Sequence, residues 1–404
     1  MAHGDKDTMQ KNFPALARML GPHSVAAFMS DYWERAPLYI PRSGDGPVKP
    51  LVSLSDMDAI LTARPHRHPD MQIVSASQEI SPDDYTDSTD YIDPTRAARL
   101  FARGGTIILN HLDESSRAVR DVCAALEGEL GIQVQANTYF TPGGAQGFPA
   151  HYDSHDVIVV QCVGRKTWRL YDSPKGLPMR GESFERATTP VGPISAEFTT
   201  GPGEALYIPR GLIHDAVAAD EGASLHVTFG FHGVRWSEVM IEAMATLAMQ
   251  DDTMRQSIPL GALVGRADLD AVREGLRERV QRLAAAASFE LVQDKLVQRF
   301  AGVRKESLEG IFQDAVSPIT AETVFATRPG ALVVLEAAAD AVILTINGRS
   351  TRWPAHAEAS LRKALSALEA DTFTLNDLGD SLDEAGRRTL LRRLLNEGAL
   401  RIVR

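Results

Sequence analysis

The sequence predicts an α+β fold: a β-sandwich or barrel set between a helical lead-in and a helical, then mixed, C-terminal half. Three observations carry this. Short strand-like segments punctuated by Gly and Pro crowd the stretch from Val134 to Phe231. After Trp236 the composition turns to Glu, Met, Ala, Arg and Leu at helical spacing. The last hundred residues alternate short strands with helical segments. At 404 residues the chain exceeds what one core organises, so several domains are expected.

In chain order, residues 13–33 carry apolar residues at helical spacing, broken at Gly21-Pro22. Tyr32 to Ile40 changes to an extended pattern. Ser53 or Ser55 opens a helix as N-cap. The polar segment from Arg64 to Pro94 is loop with one strand at Met71–Val74, and Thr95 to Arg103 forms a short helix. Gly104-Gly105 turns into a strand ending at Leu109. Ser115 to Leu130 is an amphipathic helix that Gly131 closes. The strands expected next are Val134–Thr141, Asp156–Val163, Lys166–Tyr171, Phe198–Thr200, Ala205–Ile208 and Ser224–Phe231. Helices follow over Glu238 to Asp251 and Asp268 to Phe300. At the C-terminal end come strands at 331–335 and 341–346, an Asn347-Gly348 turn, a helix from Ser381 to Glu397 and a terminal strand at 399–403.

The net charge of −11 argues against a nucleic-acid or membrane-surface protein. Arg387, Arg388, Arg392 and Arg393 decorate the last long helix, but Asp377, Asp380, Asp383, Glu384 and Glu397 offset them. The Asp83-Asp84-Tyr-Thr-Asp87 and Asp90 cluster reads as a solvated loop that could also attract a basic partner. Cys123 and Cys162 are the only cysteines, which excludes a disulfide framework or thiolate zinc site and fits a reducing cytoplasm. Met1 to Asp7 has no apolar core of a signal peptide, and no apolar run approaches a membrane span. A cytoplasmic protein is expected.

The chemistry concentrates between His151 and Tyr171. In an extended segment residues i and i+2 share a face, so His151 and Asp153 can address one ion. Two histidines and a carboxylate are the donor set of mononuclear non-haem iron sites, which leave coordination positions open. The third ligand must come from elsewhere, and His214 follows Tyr207-Ile-Pro-Arg-Gly211, a strand ending in a Pro/Gly turn at a barrel rim. His155 shares the strand face but would crowd the ligands onto one strand, so it reads as a pocket residue. Asp215 points the other way. His226 and His232 read as satisfied core histidines on spacing alone; His66, His68 and His111 have no partner pattern. A plain hairpin around Val163-Gly164 would set Lys166 opposite Gln161, about 26 Å along the strand from Asp153. Strand twist or exchange between two sheets must close that gap.

Several motifs together resemble the ribosomal oxygenases, a branch of the JmjC (cupin-like) 2-oxoglutarate oxygenases. They are Asn137-Thr-Tyr139-Phe-Thr-Pro142, Gln146-Gly-Phe with His151-Tyr-Asp153, Val159 to Trp168 around Gly164-Arg-Lys166, Leu206 to Gly211 with His214, and Ser224-Leu-His226-Val-Thr228. The resemblance spans nearly the whole chain. It implies a double-stranded β-helix (jelly-roll) catalytic domain over 1–235, a helical dimerisation domain over 236–305 and a winged-helix-like domain over 306–404.

It further implies Fe(II) on His151, Asp153 and His214, with Lys166 pairing the distal carboxylate of 2-oxoglutarate. Asn137, His226 and Thr228 would line the cosubstrate pocket, and Tyr139, Gln146 and His155 the substrate side. The implied reaction consumes O2 and 2-oxoglutarate, gives succinate and CO2, and hydroxylates a C–H bond. The implied substrate is a ribosomal protein, at arginine or histidine. The expected partners are that protein and a second copy of the chain. The competing readings are the same chemistry on a peptide natural product or small molecule, and a non-catalytic cupin-like regulator.

Overall fold

The computed structural model describes residues 9–42, 49–173, 176–303, 308–338 and 340–403. The expectation about Met1 to Asp7 lies outside them. Two compact units result, Met1–His232 together with Lys305–Arg404, and Gly233–Arg304.

The part of the first unit up to His232 is built on two antiparallel sheets. Strands β1 (Leu38–Ile40), β2 (Met71–Val74), β3 (Thr106–Leu109), β4 (Gln133–Thr141), β5 (Asp156–Val163), β8 (Ala205–Ile208) and β10 (Ser224–His232) form the larger, in the order β1-β8-β5-β10-β4-β3-β2. Strands β7 (Ile194–Thr200), β6 (Lys166–Tyr171) and β9 (His214–Ala218) form the smaller, with β6 central.

The larger sheet is buried on both faces, and the period of two sorts its residues. On β10, Leu225, Val227, Phe229 and Phe231 face outward into a core that also takes Ile158, Cys162 and Tyr207. Covering them are helices α1 (Pro14–Leu20), α2 (Leu54–Ala63), α3 (Pro94–Ala102) and α4 (Arg117–Leu130), which bring Leu16, Leu20, Met57, Ala97, Val119 and Leu126 to the same core. Each such side chain contributes roughly 1.5–3 kcal/mol by leaving water. The alternate residues, His226 and Thr228, face inward across a cavity toward Trp168 and Lys166 of the smaller sheet.

Local chemistry sets the helix ends. Ser53 and Asp56 form a reciprocal capping box at α2, Asp93 caps α3, and Gly131 closes α4 in the left-handed region at φ 64°. Phe28–Tyr32 is one turn of π-helix that continues the broken first helix.

Of the two routes expected to close the gap to Lys166, the chain takes exchange between sheets: Gln161 pairs with His226 of β10, whereas Lys166 pairs with Thr200 of β7 and Ala218 of β9. The chain leaves one sheet for the other at this corner. Gly164 has φ +68°, and a Cβ there would come within 2.2 Å of the Ala223 carbonyl oxygen, so the corner requires glycine. The strand expected at Phe198–Thr200 begins at Ile194, and β9 was not expected as a strand. The helix expected from Asp268 to Phe300 is two, α6 (Leu269–Ala286) and α7 (Glu290–Val303). The helix expected from Ser115 begins at Arg117, after a separate turn over Leu112–Ser115.

In the C-terminal part, β12 (Val333–Ala337), β13 (Ala341–Ile346) and β14 (Arg349–Pro354) form a meander whose second turn is the expected Asn347-Gly348, both at positive φ. Strand β11 (Phe325–Thr327) pairs with the terminal β15 (Leu400–Ile402). Helices α8 (Ile311–Val316), α9 (Glu358–Leu365) and α10 (Glu384–Asn396) accompany these strands, and Leu390, Leu391, Leu394 and Leu395 of α10 anchor their own core. The arginines of α10 are committed within the fold. Arg392 donates to the Asp314, Ala315 and Ser317 carbonyls, Arg388 to the Ile319 carbonyl and Glu384, and Arg393 pairs with Glu397. The acidic loop is likewise structural, since Asp84 caps Ser81 and Asp87 accepts from Thr89 and Tyr91.

The second unit, Gly233–Arg304, consists of α5 (Trp236–Gln250), α6 and α7, with Glu242–Lys295 and Glu238–Arg299 ion pairs between α5 and α7. Its apolar residues are largely exposed: Trp236 at 80%, Ile241 at 62%, Leu260 at 95% and Leu263 at 91%.

Candidate metal centre

Two backbone hydrogen bonds build the site. His151 N–H donates to the His214 carbonyl at 3.0 Å, and His214 N–H donates to the His151 carbonyl at 2.8 Å. The segment before β5 is thereby paired to the start of β9. A third bond, from Gly211 N–H to the Asp153 carbonyl at 3.0 Å, ties the Pro209-Arg210-Gly211 turn to the same segment.

The side chains converge from these anchors. His151 Nε2 lies 4.0 Å from Asp153 Oδ1, and His214 Nε2 lies 3.7 Å from Asp153 Oδ2. One donor atom of each residue lies within 4.8 Å of the other two. The imidazole Nδ1 of His151 bonds the Pro149 carbonyl and that of His214 bonds the Leu212 carbonyl, both at 3.0 Å. A carbonyl only accepts, so Nδ1 carries the proton in each ring and Nε2 keeps its lone pair for an ion. Burial, then the neighbouring His151, lowers the His214 pKa and favours that neutral form. Burial raises the Asp153 pKa, and the charge that His151, His214 and His155 bring in their protonated forms more than offsets it, so the net shift is downward. Two neutral imidazoles and a carboxylate on one side of an open space fit a divalent first-row ion.

That space continues into the barrel, lined by Thr106, Tyr139, Phe148, Lys166, Trp168, His226 and Thr228 among others. Lys166 is 3% exposed. Its ammonium donates to Thr141 Oγ1 at 3.1 Å, and Thr141 in turn accepts from Thr106. No carboxylate pairs with it among the described residues, and burial pushes its pKa down to about 7. The alternative of a solvated strand-end lysine is excluded. His226 stacks on Tyr139 at 4.9 Å with the rings 7° from parallel, and meets Trp168 edge-on at 5.3 Å. Its Nδ1 is buried without a hydrogen-bond partner among the described residues. Burial, then Lys166, holds its pKa well below the usual imidazole value. Burial, then the Asp153 charge, raises that of Tyr139.

The cavity thus gathers His151, Asp153, His214, Lys166, Tyr139, His226 and Thr228. Asn137 stands behind it: its carboxamide oxygen accepts from His111 N–H and Gln135, and its side chain hydrogen-bonds Tyr139. His155 lies outside the ligand cluster, its ring 4.8 Å from His232 and edge-on to it. Gln146 is turned away, bonding the Phe148 carbonyl and Arg169. Asp215 also points outward as expected, held by both Arg169 nitrogens and by Tyr171. Sequence reasoning gave no role to Thr106, Thr141 or Trp168. A two-residue step from Tyr139 gives Thr141, and one from Lys166 gives Trp168, so both were accessible to a period-two reading.

Residues 109–239 match the JmjC domain. The bifunctional lysine-specific demethylase and histidyl-hydroxylase NO66 of Drosophila persimilis is 28% identical over 67% of this chain and 40% of its own length. Ribosomal oxygenase 1 of Gallus gallus is 30% identical over 66% of this chain and 46% of its own. The chain therefore spans less than half the length of either relative. Among solved structures, the ribosomal oxygenase YcfD of Escherichia coli superposes with TM-score 0.56 at 17% identity, covering 94% of this chain and 98% of YcfD. YcfD in complex with cobalt and 2-oxoglutarate superposes with TM-score 0.51 at 18% identity, over 93% of this chain and 97% of that one. At these identities the superposition speaks for the cupin-type fold alone. The domain match and the convergent His151, Asp153 and His214 make residues 109–239 a JmjC domain, and the chain around it is similar to the ribosomal oxygenases.

Proposed function

We propose that the chain is an Fe(II)- and 2-oxoglutarate-dependent oxygenase that hydroxylates a C–H bond of a protein side chain, an arginine or histidine of a ribosomal protein being the favoured target. One observation carries this reading: the triad of His151, Asp153 and His214 shares its cavity with a buried lysine that has no carboxylate partner among the described residues. A metal-binding cupin without a dicarboxylate cosubstrate has no use for that cation.

His151 and His214 would hold iron through Nε2, and Asp153 through its carboxylate. Lys166 would pair with the distal carboxylate of 2-oxoglutarate, with Thr141 at hand as a second donor. When bound, the metal and its cosubstrate supply the activation of dioxygen and the removal of hydrogen from the substrate carbon. The protein's part is positioning and the exclusion of water. Trp168, His226 and Tyr139 wall the cavity with rings, and Thr228 adds a hydroxyl to its lining. Tyr139 on the cavity wall and His155 beside His232 would meet the substrate, with Asn137 supporting Tyr139. Gln146, hydrogen-bonded to the Phe148 carbonyl and Arg169, would lie on the same substrate side. We further propose a catalytic domain over 1–235, a dimerising unit over 236–305 whose exposed apolar residues meet a second copy, a winged-helix-like domain over 306–404, and a cytoplasmic location. In support of the last, no helix among the described residues is long and apolar enough to cross a membrane.

Anaerobic addition of Fe(II) and 2-oxoglutarate is expected to produce a weak visible metal-to-ligand band, abolished in His151→Ala. A parent protein without the band removes the oxygenase reading. For Lys166→Met we expect about 100-fold weaker 2-oxoglutarate binding with little change in metal affinity. Because burial holds Lys166 near pKa 7, binding a dianion above that pH requires proton uptake. Affinity should therefore fall toward tenfold per pH unit above neutrality in the parent, a slope that calorimetry would find missing in Lys166→Met.

Incubation with total ribosomal proteins is expected to add about 16 Da, one oxygen, to a single protein by intact mass. An unshifted set moves the reading to a small-molecule substrate. Sedimentation at micromolar concentration is expected to give a dimer, and Trp236→Glu with Leu263→Glu a monomer. A parent that sediments as a monomer removes the dimer proposal.

A further inference from the structure

Behind the metal triad, on the outer face of the larger sheet, four residues from three chain segments close a hydrogen-bonded ring. Tyr207 OH donates to Asp156 Oδ1 at 2.6 Å and accepts from Glu34 N–H at 2.8 Å. The Glu34 carboxylate pairs with the Arg210 guanidinium at 2.6 Å, and Arg210 N–H completes the circuit to Asp156 Oδ1 at 3.4 Å. Asp156 and Tyr207 are buried, and the Arg210 side chain is 9% exposed.

Two features make this ring costly to keep for packing alone. Asp156 is a carboxylate at 2% exposure, where an apolar side chain would serve the surrounding core better. Glu34 holds the left-handed backbone region at φ +58°, which a residue other than glycine rarely adopts. What the ring encloses is the Pro209 turn. Asp156 lies three residues after the ligand Asp153, and Arg210 lies four before the ligand His214. Gly211 N–H, next in the turn, is the donor to the Asp153 carbonyl. The ring therefore spans the two segments whose separation fixes the 3.7 Å between His214 Nε2 and Asp153 Oδ2.

We propose that Asp156, with Tyr207, Glu34 and Arg210, is a positioning device that sets the spacing of Asp153 and His214. Through Glu34 it makes the N-terminal segment part of the metal centre. The ring touches no reacting atom; it acts through the turn. The proposal rests on the metal reading above but is separable from it.

The test is Co(II) titration of the apo protein, reading both affinity and the visible d–d band, which reports ligand geometry. Asp156→Ala, Tyr207→Phe and Glu34→Gln are each expected to weaken Co(II) binding about tenfold and to shift the band while retaining the parental near-UV circular dichroism. Asp156→Asn keeps the shape and the acceptor oxygen and is expected to bind within about threefold of the parent, which a requirement for the charge alone would not allow. If Asp156→Ala fails to fold, Tyr207→Phe carries the test, since it deletes one hydroxyl. Folded variants that bind Co(II) within twofold of the parent with an unshifted band would falsify the proposal. A parent that binds no Co(II) overturns the metal site itself and the ring's role with it.

Discussion

The reciprocal backbone bridge between His151 and His214 is the constraint on which the centre depends. Side-chain contacts could bring two histidines together in many relative poses. Two backbone bonds at 3.0 and 2.8 Å fix where both Cα atoms stand, and each Nδ1 is then fixed by a carbonyl two residues upstream, of Pro149 and of Leu212. Only rotation consistent with both bonds remains, so the two Nε2 atoms are presented toward Asp153 before any ion arrives. Preorganisation of this kind lowers the entropy lost on binding.

The rest of the barrel follows from the alternation of faces. Each strand of the larger sheet must supply apolar residues to the helical layer and functional residues to the cavity at alternate positions. On β10 the sequence Leu225-His226-Val227-Thr228-Phe229 does both at once. A one-residue slip would bury His226 among the helices and turn Phe229 into the cavity. The outer core, with Phe229 and Phe231 fully buried, makes that slip costly and thereby holds the register of the inner face. Stability on one side of the sheet specifies chemistry on the other.

The legible and illegible parts of the site divide along the same line. His151 and Asp153 were readable because both sit within three residues of one segment, whereas His226 and Thr228 entered only through the family resemblance, His226 reading as a core histidine on spacing alone. Lys166 was readable as a functional cation only from the family motif. Its place across the cavity depends on the chain changing sheets at Gly164, and nothing in the two flanking strands distinguishes that corner from a hairpin. β9 was missed because His214-Asp-Ala-Val-Ala218 has little strand character of its own and gains it by pairing with β6. Gln146 lies in the motif yet faces Arg169, because the irregular stretch between β4 and β5 gives no period from which to read a direction. Long helices were legible in their existence and not in their interruptions: Ala287-Ser288-Phe289 ends α6 without glycine or proline.

Lys166 then bears on how so buried a cavity tolerates its charges. Its own groups are one carboxylate beside two imidazoles at one end and, at the other, an ammonium that burial has brought close to losing its proton. Neither end alone is at ease in a low-dielectric space. A divalent cation and a protonated Lys166 set against Asp153 and a dicarboxylate sum to zero. Asp153 and Lys166 also sum to zero by themselves but stand at opposite ends; a cation beside Asp153 and a dicarboxylate reaching Lys166 would set an opposite charge next to each, so each occupant would relieve the desolvation cost imposed by the other. On this argument metal and dicarboxylate should bind with mutual reinforcement even though Lys166 touches none of the ligands. The coupling would be carried by the shared low-dielectric space, which the packing of Trp168, His226 and Tyr139 maintains.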